Sequence, residues 1–298
     1  MKAKKILSTL SAMAVVASLA ACGGSQSNEA PADKNASAFD KSKPITVVSR
    51  EDGSGTRGAF IELFGIEKKD DAGNKVDLTT EEAIIANKTD VMLTNVAGDE
   101  YSIGYVSLGS LNNKVKALKI DGAEASAENV QNGSYKIARP FNIAVKGEAS
   151  EVAQDFIDYI MSAEGQAVVS ESYITVNADA PAYAGTKPAG KIVVAGSSSV
   201  SPLMEKLKEA YIAVNPSADI EIQTNDSTSG MNGTIEGTCD IGMASRELKD
   251  SEAAELTATA IALDGIVVIV NGANPLSELT SDNVKDIFTG TVTTWGEF

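Results

Sequence analysis

The sequence predicts an α/β protein with mainly parallel sheet, and three observations carry that prediction. Short apolar runs rich in β-branched residues recur at Ile45–Ser49, Ile103–Ser107, Ile192–Ala195, Ile220–Thr224 and Ile266–Val270, each the length of a buried strand. Amphipathic stretches alternate with them at Thr56–Phe64, Glu151–Ser162, Ser201–Val214, Thr228–Glu236 and Asp282–Phe288. In Ser201–Val214 the residues Leu203, Leu207, Ala210, Tyr211 and Val214 share one face at three- and four-residue spacing. Strands alternating with helices favour parallel pairing, because a parallel crossover needs a helix's length of chain. The length of 298 residues, with 43% hydrophobic side chains, is enough for one large or two medium folded domains at roughly 100–200 residues each.

The first segment is not part of that pattern. Lys2, Lys4 and Lys5 precede an apolar run from Ile6 to Ala21, which is short for a bilayer span and ends in small residues, as an export signal does. Its ending, Leu19-Ala20-Ala21-Cys22-Gly23, resembles a bacterial lipobox, so residues 1–22 are expected to be a lipoprotein signal and Cys22 the lipidated mature N-terminus. Gly23–Lys43 is rich in Ser, Ala, Asn and charge and reads as a flexible tether. Cys239 is then the one cysteine of the folded part. It has no partner for an intrachain disulfide and is expected to be a buried, inert thiol beside Ile235, Ile241 and Met243. Asn177–Gly190, rich in Ala, Pro and Gly, reads as a linker between two patterned segments.

Composition narrows the function. Forty-one acidic against 25 basic side chains give a formal charge of −16, which argues against general nucleic-acid binding. With no histidine in the chain, neither a Ser-His-Asp system nor an imidazole zinc site can be built. The acidic runs, such as Glu81-Glu82 and Asp250-Ser251-Glu252, read as solvated helix faces, and Trp295 and Phe298 as core. If the ligand is an anion, the chain must hold it locally against its own field.

Three loops supply the means. Arg50-Glu51-Asp52-Gly53-Ser54-Gly55-Thr56 follows the first strand, Gly196-Ser197-Ser198-Ser199-Val200-Ser201-Pro202 follows Ile192–Ala195, and Asn225-Asp226-Ser227-Thr228-Ser229-Gly230 follows Ile220–Thr224. Each is strand, Gly/Ser/Thr loop, helix. A helix N-terminus offers unpaired N–H groups and about half a positive charge. Glycine permits close approach, hydroxyls add donors, and Arg50 adds a charged fork. Any one loop can simply cap its helix; three together with Arg50 point to an oxyanion. Neither GxxxxGK[ST] nor GxGxxG is matched, so nucleotide binding is not indicated.

At these residues the chain resembles the phosphate-binding proteins of bacterial ABC phosphate importers. The resemblance rests on Ser49–Arg57, Val194–Val200, Ser227–Gly230 and Asp240-Ile241-Gly242-Met243-Ala244-Ser245-Arg246-Glu247, and covers nearly all of the folded chain. It implies a two-lobed, class II periplasmic-binding-protein fold with the ligand cleft between the lobes. The two halves stand in the reverse of the usual family order, as in a circular permutation with 177–190 as the new joint. A fragment of a longer tandem is the alternative, but each expected piece occurs once. Permutation would assemble one lobe from 44–138 and 271–298 and make the other continuous over 139–270, with Arg139–Val145 and Leu263–Val270 as the interlobe connections.

Residue by residue, the resemblance implies that Arg50, Ser54, Gly55 and Thr56 bind phosphate from one lobe, and Ser198, Ser199 and Ser227 from the other. Ser245 or Arg246 stands where many members place a proton-accepting aspartate, and Arg246 would add positive charge. Asp52 and Asp226 are candidate substitutes for that acceptor, with helix capping as their alternative role. The expected protein is a monomeric, lipid-anchored, extracytoplasmic receptor that passes inorganic phosphate to ABC permease subunits, without nucleic acid, cofactor, metal or catalytic residue. A sulfate receptor, a surface phosphate sensor or adhesin, and a serine-dependent phosphate-ester hydrolase remain as alternatives.

Overall fold

The computed structural model describes residues 39–298. The export signal, Cys22 and the tether as far as residue 38 lie outside them. From Thr46 the chain runs through β1 (Thr46–Arg50) into α1 (Gly55–Leu63), then a two-stranded ribbon of β2 (Glu67–Lys69) and β3 (Lys75–Asp77). β4 (Ile84–Ala86), α2 (Thr89–Gly98), β5 (Ser102–Ser107), β6 (Val115–Ala117), β7 (Lys119–Ile120) and α3 (Ala127–Gln131) follow. β8 (Ala138–Val145) leads to α4 (Glu151–Ile160) and α5 (Ala163–Ser170). After an irregular stretch come β9 (Gly190–Ser197), α6 (Ser201–Val214), β10 (Ala218–Asn225), α7 (Ser227–Glu236), β11 (Ile241–Ala244) and α8 (Asp250–Ala253). The 15-residue β12 (Thr257–Asn271), β13 (Glu278–Leu279) and α9 (Ser281–Phe288) complete the order.

One nine-stranded sheet runs through the molecule in the order β10-β9-β11-β8-β12-β5-β1-β4, with β6 beside β12. Its two ends are parallel, as expected, but the centre is not: β11–β8, β8–β12 and β12–β5 are all antiparallel. The mainly parallel sheet predicted from sequence is therefore a mixed one. The cause is that β8 and β12 carry the chain between lobes in opposite directions, and so pair with each other and with both end sheets. β12 pairs with β8 through Gly265 and with β5 from Ile266 onward.

Two hydrophobic cores flank this crossing. One gathers Phe60, Tyr105, Phe288 and Trp295 with the apolar faces of β1, β5 and the second half of β12; Phe60 stacks on Tyr105 at 3.9 Å between ring centroids. The other gathers Phe141, Phe156, Leu203, Leu207 and Tyr211 around β9 and β11. The two cores thus lie on opposite sides of the crossing of β8 and β12. The irregular segment from Asn177 is fastened to the second core: Asp155 accepts the hydroxyls of Tyr183 and Tyr211 and the N–H of Thr186. Those bonds hold its carboxyl below the usual range although desolvation alone pushes it upward.

Where the strands cross, buried Arg139 and Asp264 sit opposite each other in register, 3.0 Å apart, and Ser107 of β5 donates to the same carboxyl. Burial pushes Asp264 up to about 6 despite the arginine beside it. Cys239 is buried, and burial raises its thiol too. Among the described residues no helix is long and apolar enough to cross a membrane.

Candidate oxyanion site between the lobes

The site forms where the ends of β1 and β9 face each other across the two lobes. Arg50, the last residue of β1, is 2% exposed. Its Nε and Nη2 donate to the two oxygens of Glu51 at 2.8 and 2.7 Å, and Nη2 also reaches Ser198 Oγ at 3.1 Å. Its Nη1 donates to Thr89 Oγ1 at 3.4 Å. Two groups fix its backbone: the Tyr105 hydroxyl accepts its N–H, and Arg57 donates to its carbonyl. These contacts aim the guanidinium at Ser198 across the cleft.

Hydroxyls from both lobes complete a buried network. Thr56 Oγ1 lies 2.9 Å from Ser199 Oγ and 3.4 Å from Ser245 Oγ. Thr89 Oγ1 lies 3.2 Å from Ser198 Oγ and 3.3 Å from Ser199 Oγ. Ser197 donates to Ser245 at 2.9 Å, and the Ser245 N–H donates to Ser227 Oγ at 3.1 Å. Gly55 has no room for a side chain, since a Cβ there would stand 2.4 Å from Ser227 Oγ and 2.8 Å from Ser245 Oγ.

Four helices start at this network. α1 is capped by Ser54, whose oxygen accepts the Arg57 N–H, and α7 by Asp226, which accepts that of Ser229. α2 and α6 start without a side-chain cap, at Lys88 and Val200. The first N–H of α2 faces the network, with the Thr89 N–H reaching Ser198 Oγ at 3.3 Å. Such a set of neutral donors, helix N-termini and one buried guanidinium suits a small tetrahedral oxyanion.

The structure brings Arg50, Gly55, Thr56, Ser198, Ser199, Ser227 and Ser245 together. Ser54 adjoins them, but its oxygen is spent on the cap of α1. Arg246 does not join them: both oxygens of Glu252 hold its guanidinium, at 2.7 and 2.8 Å, and it donates to Thr228 as well. That pair corrects the reading of Asp250–Glu252 as a wholly solvated face, because Glu252 is buried, accepts the Lys249 N–H and is held below its usual range against desolvation. Asp52 is exposed and pairs with Arg57. Asp226 is a helix cap, so neither is placed as a proton acceptor. Sequence reasoning missed Ser197 and Thr89. Thr89 follows the same strand–loop–helix pattern, but its strand is three residues long, its loop has no glycine, and its N-cap position is Lys88, which makes no side-chain cap.

A two-lobed α/β architecture with a candidate oxyanion site between the lobes is the class these observations define. The chain belongs to the family described as the PBP superfamily domain, whose model matches residues 28–164 and 181–297. It is similar to the phosphate-binding protein PstS 2 of Streptococcus agalactiae serotype V, with 55% identity over 256 residues, 85% of this chain and 87% of the relative. It is also similar to PstS 2 of Streptococcus pneumoniae serotype 4, with 46% identity over 297 residues and 99% of each chain covered. Among solved structures, a phosphate ABC transporter phosphate-binding protein from S. pneumoniae superposes with a TM-score of 0.68 at 47% identity, covering 85% of this chain and 99% of that one.

Proposed function

We propose that this protein is an extracytoplasmic receptor that binds inorganic phosphate between its lobes and delivers it to the membrane subunits of an ABC importer. The observation that carries the reading is the buried network in which Arg50, Thr56 and Thr89 of one lobe meet Ser198, Ser199, Ser227 and Ser245 of the other. An anion held by both sides stabilises the closed form by its greater affinity for it. In this reading Arg50 supplies the charged fork, Gly55 and Thr56 their backbone N–H groups, and the hydroxyls the remaining bonds. Ser54 orders α1, and Arg246 braces the wall behind Ser245. The protein binds as a monomer without covalent chemistry. The names of the S. agalactiae and S. pneumoniae relatives support phosphate as the ligand.

The division of the cores supports two lobes with boundaries close to 44–138 plus 271–298 and 139–270, but shifts one of them: Ile266–Val270, like Ile174, pack in the core of the first lobe, and the second core lies between Phe141 and Ala262. The reversed order of the segments relative to the wider family is part of the proposal, as is a lipid anchor at Cys22, which the Leu19–Gly23 motif supports. Sulfate is the second reading. It is favoured by one feature: both oxygens of Glu51, the carboxylate beside Arg50, are engaged by that guanidinium, and Ser245 or Arg246 stands where many family members place a proton-accepting aspartate. Transport is tested by complementation. Cells lacking the gene should regain high-affinity uptake of labelled phosphate with the wild-type gene and not with Arg50→Met. Equal uptake with either gene would contradict the reading.

A further inference from the structure

The loop after β1 touches the other lobe at a point outside the hydroxyl network. The carbonyl of Gly53 accepts the N–H of Thr228 at 3.2 Å, a backbone bond between the lobes. A Cβ on Gly53 would stand 2.2 Å from Asp226 Oδ1 and 2.5 Å from its Cγ. That carboxylate is held in place, since Oδ1 accepts the Ser229 N–H at 2.8 Å and Oδ2 the Ser229 hydroxyl at 2.5 Å. Gly53 is not among the glycines with positive φ, so its own backbone does not demand glycine. The demand comes from a neighbour, and that neighbour belongs to the opposite lobe.

We infer that Gly53 is a closure residue: its missing side chain lets this loop seat on the N-terminus of α7, and a side chain there holds the lobes apart. The inference rests on the receptor reading, in which the seated form retains the ligand. A substitution that clashes only in the closed form lowers apparent affinity by depopulating that form while sparing the separated lobes. It differs from loss of a binding group because Gly53 is half-buried at the rim and contributes nothing to the network around Arg50.

The test is a phosphate titration of stripped wild type, Gly53→Ala and the double variant Gly53→Ala/Asp226→Ser, followed by calorimetry and small-angle scattering. Serine keeps a capping oxygen for α7 while withdrawing the clashing atoms. We expect Gly53→Ala to melt like wild type without phosphate, to bind phosphate at least about tenfold more weakly and to lose the phosphate-induced compaction. The double variant should recover most of both. Wild-type affinity and compaction in Gly53→Ala, or no recovery in the double variant, would overturn the inference and leave the receptor reading intact. A wild type that takes up no phosphate would overturn both.

Discussion

Arg50→Met gives the most informative single perturbation of the site. Methionine keeps an unbranched apolar stem in a position that is 2% exposed, and removes only the guanidinium. That group has two of its nitrogens on Glu51, and points Nη1 and Nη2 at Thr89 and Ser198, the hydroxyls that flank the cleft. A charge-assisted hydrogen bond contributes about 1.5–3 kcal/mol. Losing one or two to the anion, and leaving the Glu51 carboxylate beside it without its counter-charge, should cost at least about 3 kcal/mol, or roughly a 150-fold weaker Kd. Arg246→Met is the matched control. Its guanidinium lies on Glu252, whose side chain is 4% exposed, so its removal strands a buried carboxylate and should cost about 3 kcal/mol of folding stability while changing phosphate affinity no more than about fivefold. Calorimetry on stripped proteins at one salt concentration, with urea melts alongside, reads both quantities. Wild-type affinity in Arg50→Met, or an equal loss in Arg246→Met, would refute the assignment of the charge to Arg50.

Two further outcomes follow from the geometry. Thr89→Val should weaken phosphate binding by about 0.5–1.5 kcal/mol, the scale of a neutral hydrogen bond, with little change in melting temperature; unchanged affinity would remove α2 from the site. Asp264, raised from 3.8 to about 6 in the folded protein, binds its proton more tightly folded than unfolded, so the stability it contributes is present in acid and lost as pH rises from about 4 through about 6. The stability margin of wild type over Asp264→Asn should therefore shrink across that interval, and a margin that grows would mean that Arg139 outweighs burial there.

Much of this was legible from short-range signals. Ser201–Val214 is a helix over the range its spacing predicts, with Pro202 in the first turn. The Gly/Ser/Thr loops start helices within a residue of expectation. What escaped depended on long-range pairing. Arg139-Pro140 does not read as the start of a strand, nor Thr257–Ala260 as part of one, yet each is stabilised by the other in the crossing of β8 and β12. The inward turn of Glu252 is invisible in a charged run, because the run does not say which side chain meets Arg246. Thr89 is brought to the site by the packing of α2, not by a motif. The net charge of −16 likewise proved a poor guide to the ligand, since short bonds inside a closed cleft outweigh a screened long-range field.

The central claim is that the interlobe network is a phosphate site, and a calorimetric competition tests it most directly. Phosphate-stripped protein is titrated with phosphate, with sulfate, and with each in the presence of the other, across a range of pH. The expected result is saturable binding of one phosphate per chain, with phosphate displacing sulfate and sulfate failing to displace phosphate. Tighter binding of sulfate, or no heat with phosphate at any pH, would contradict the account.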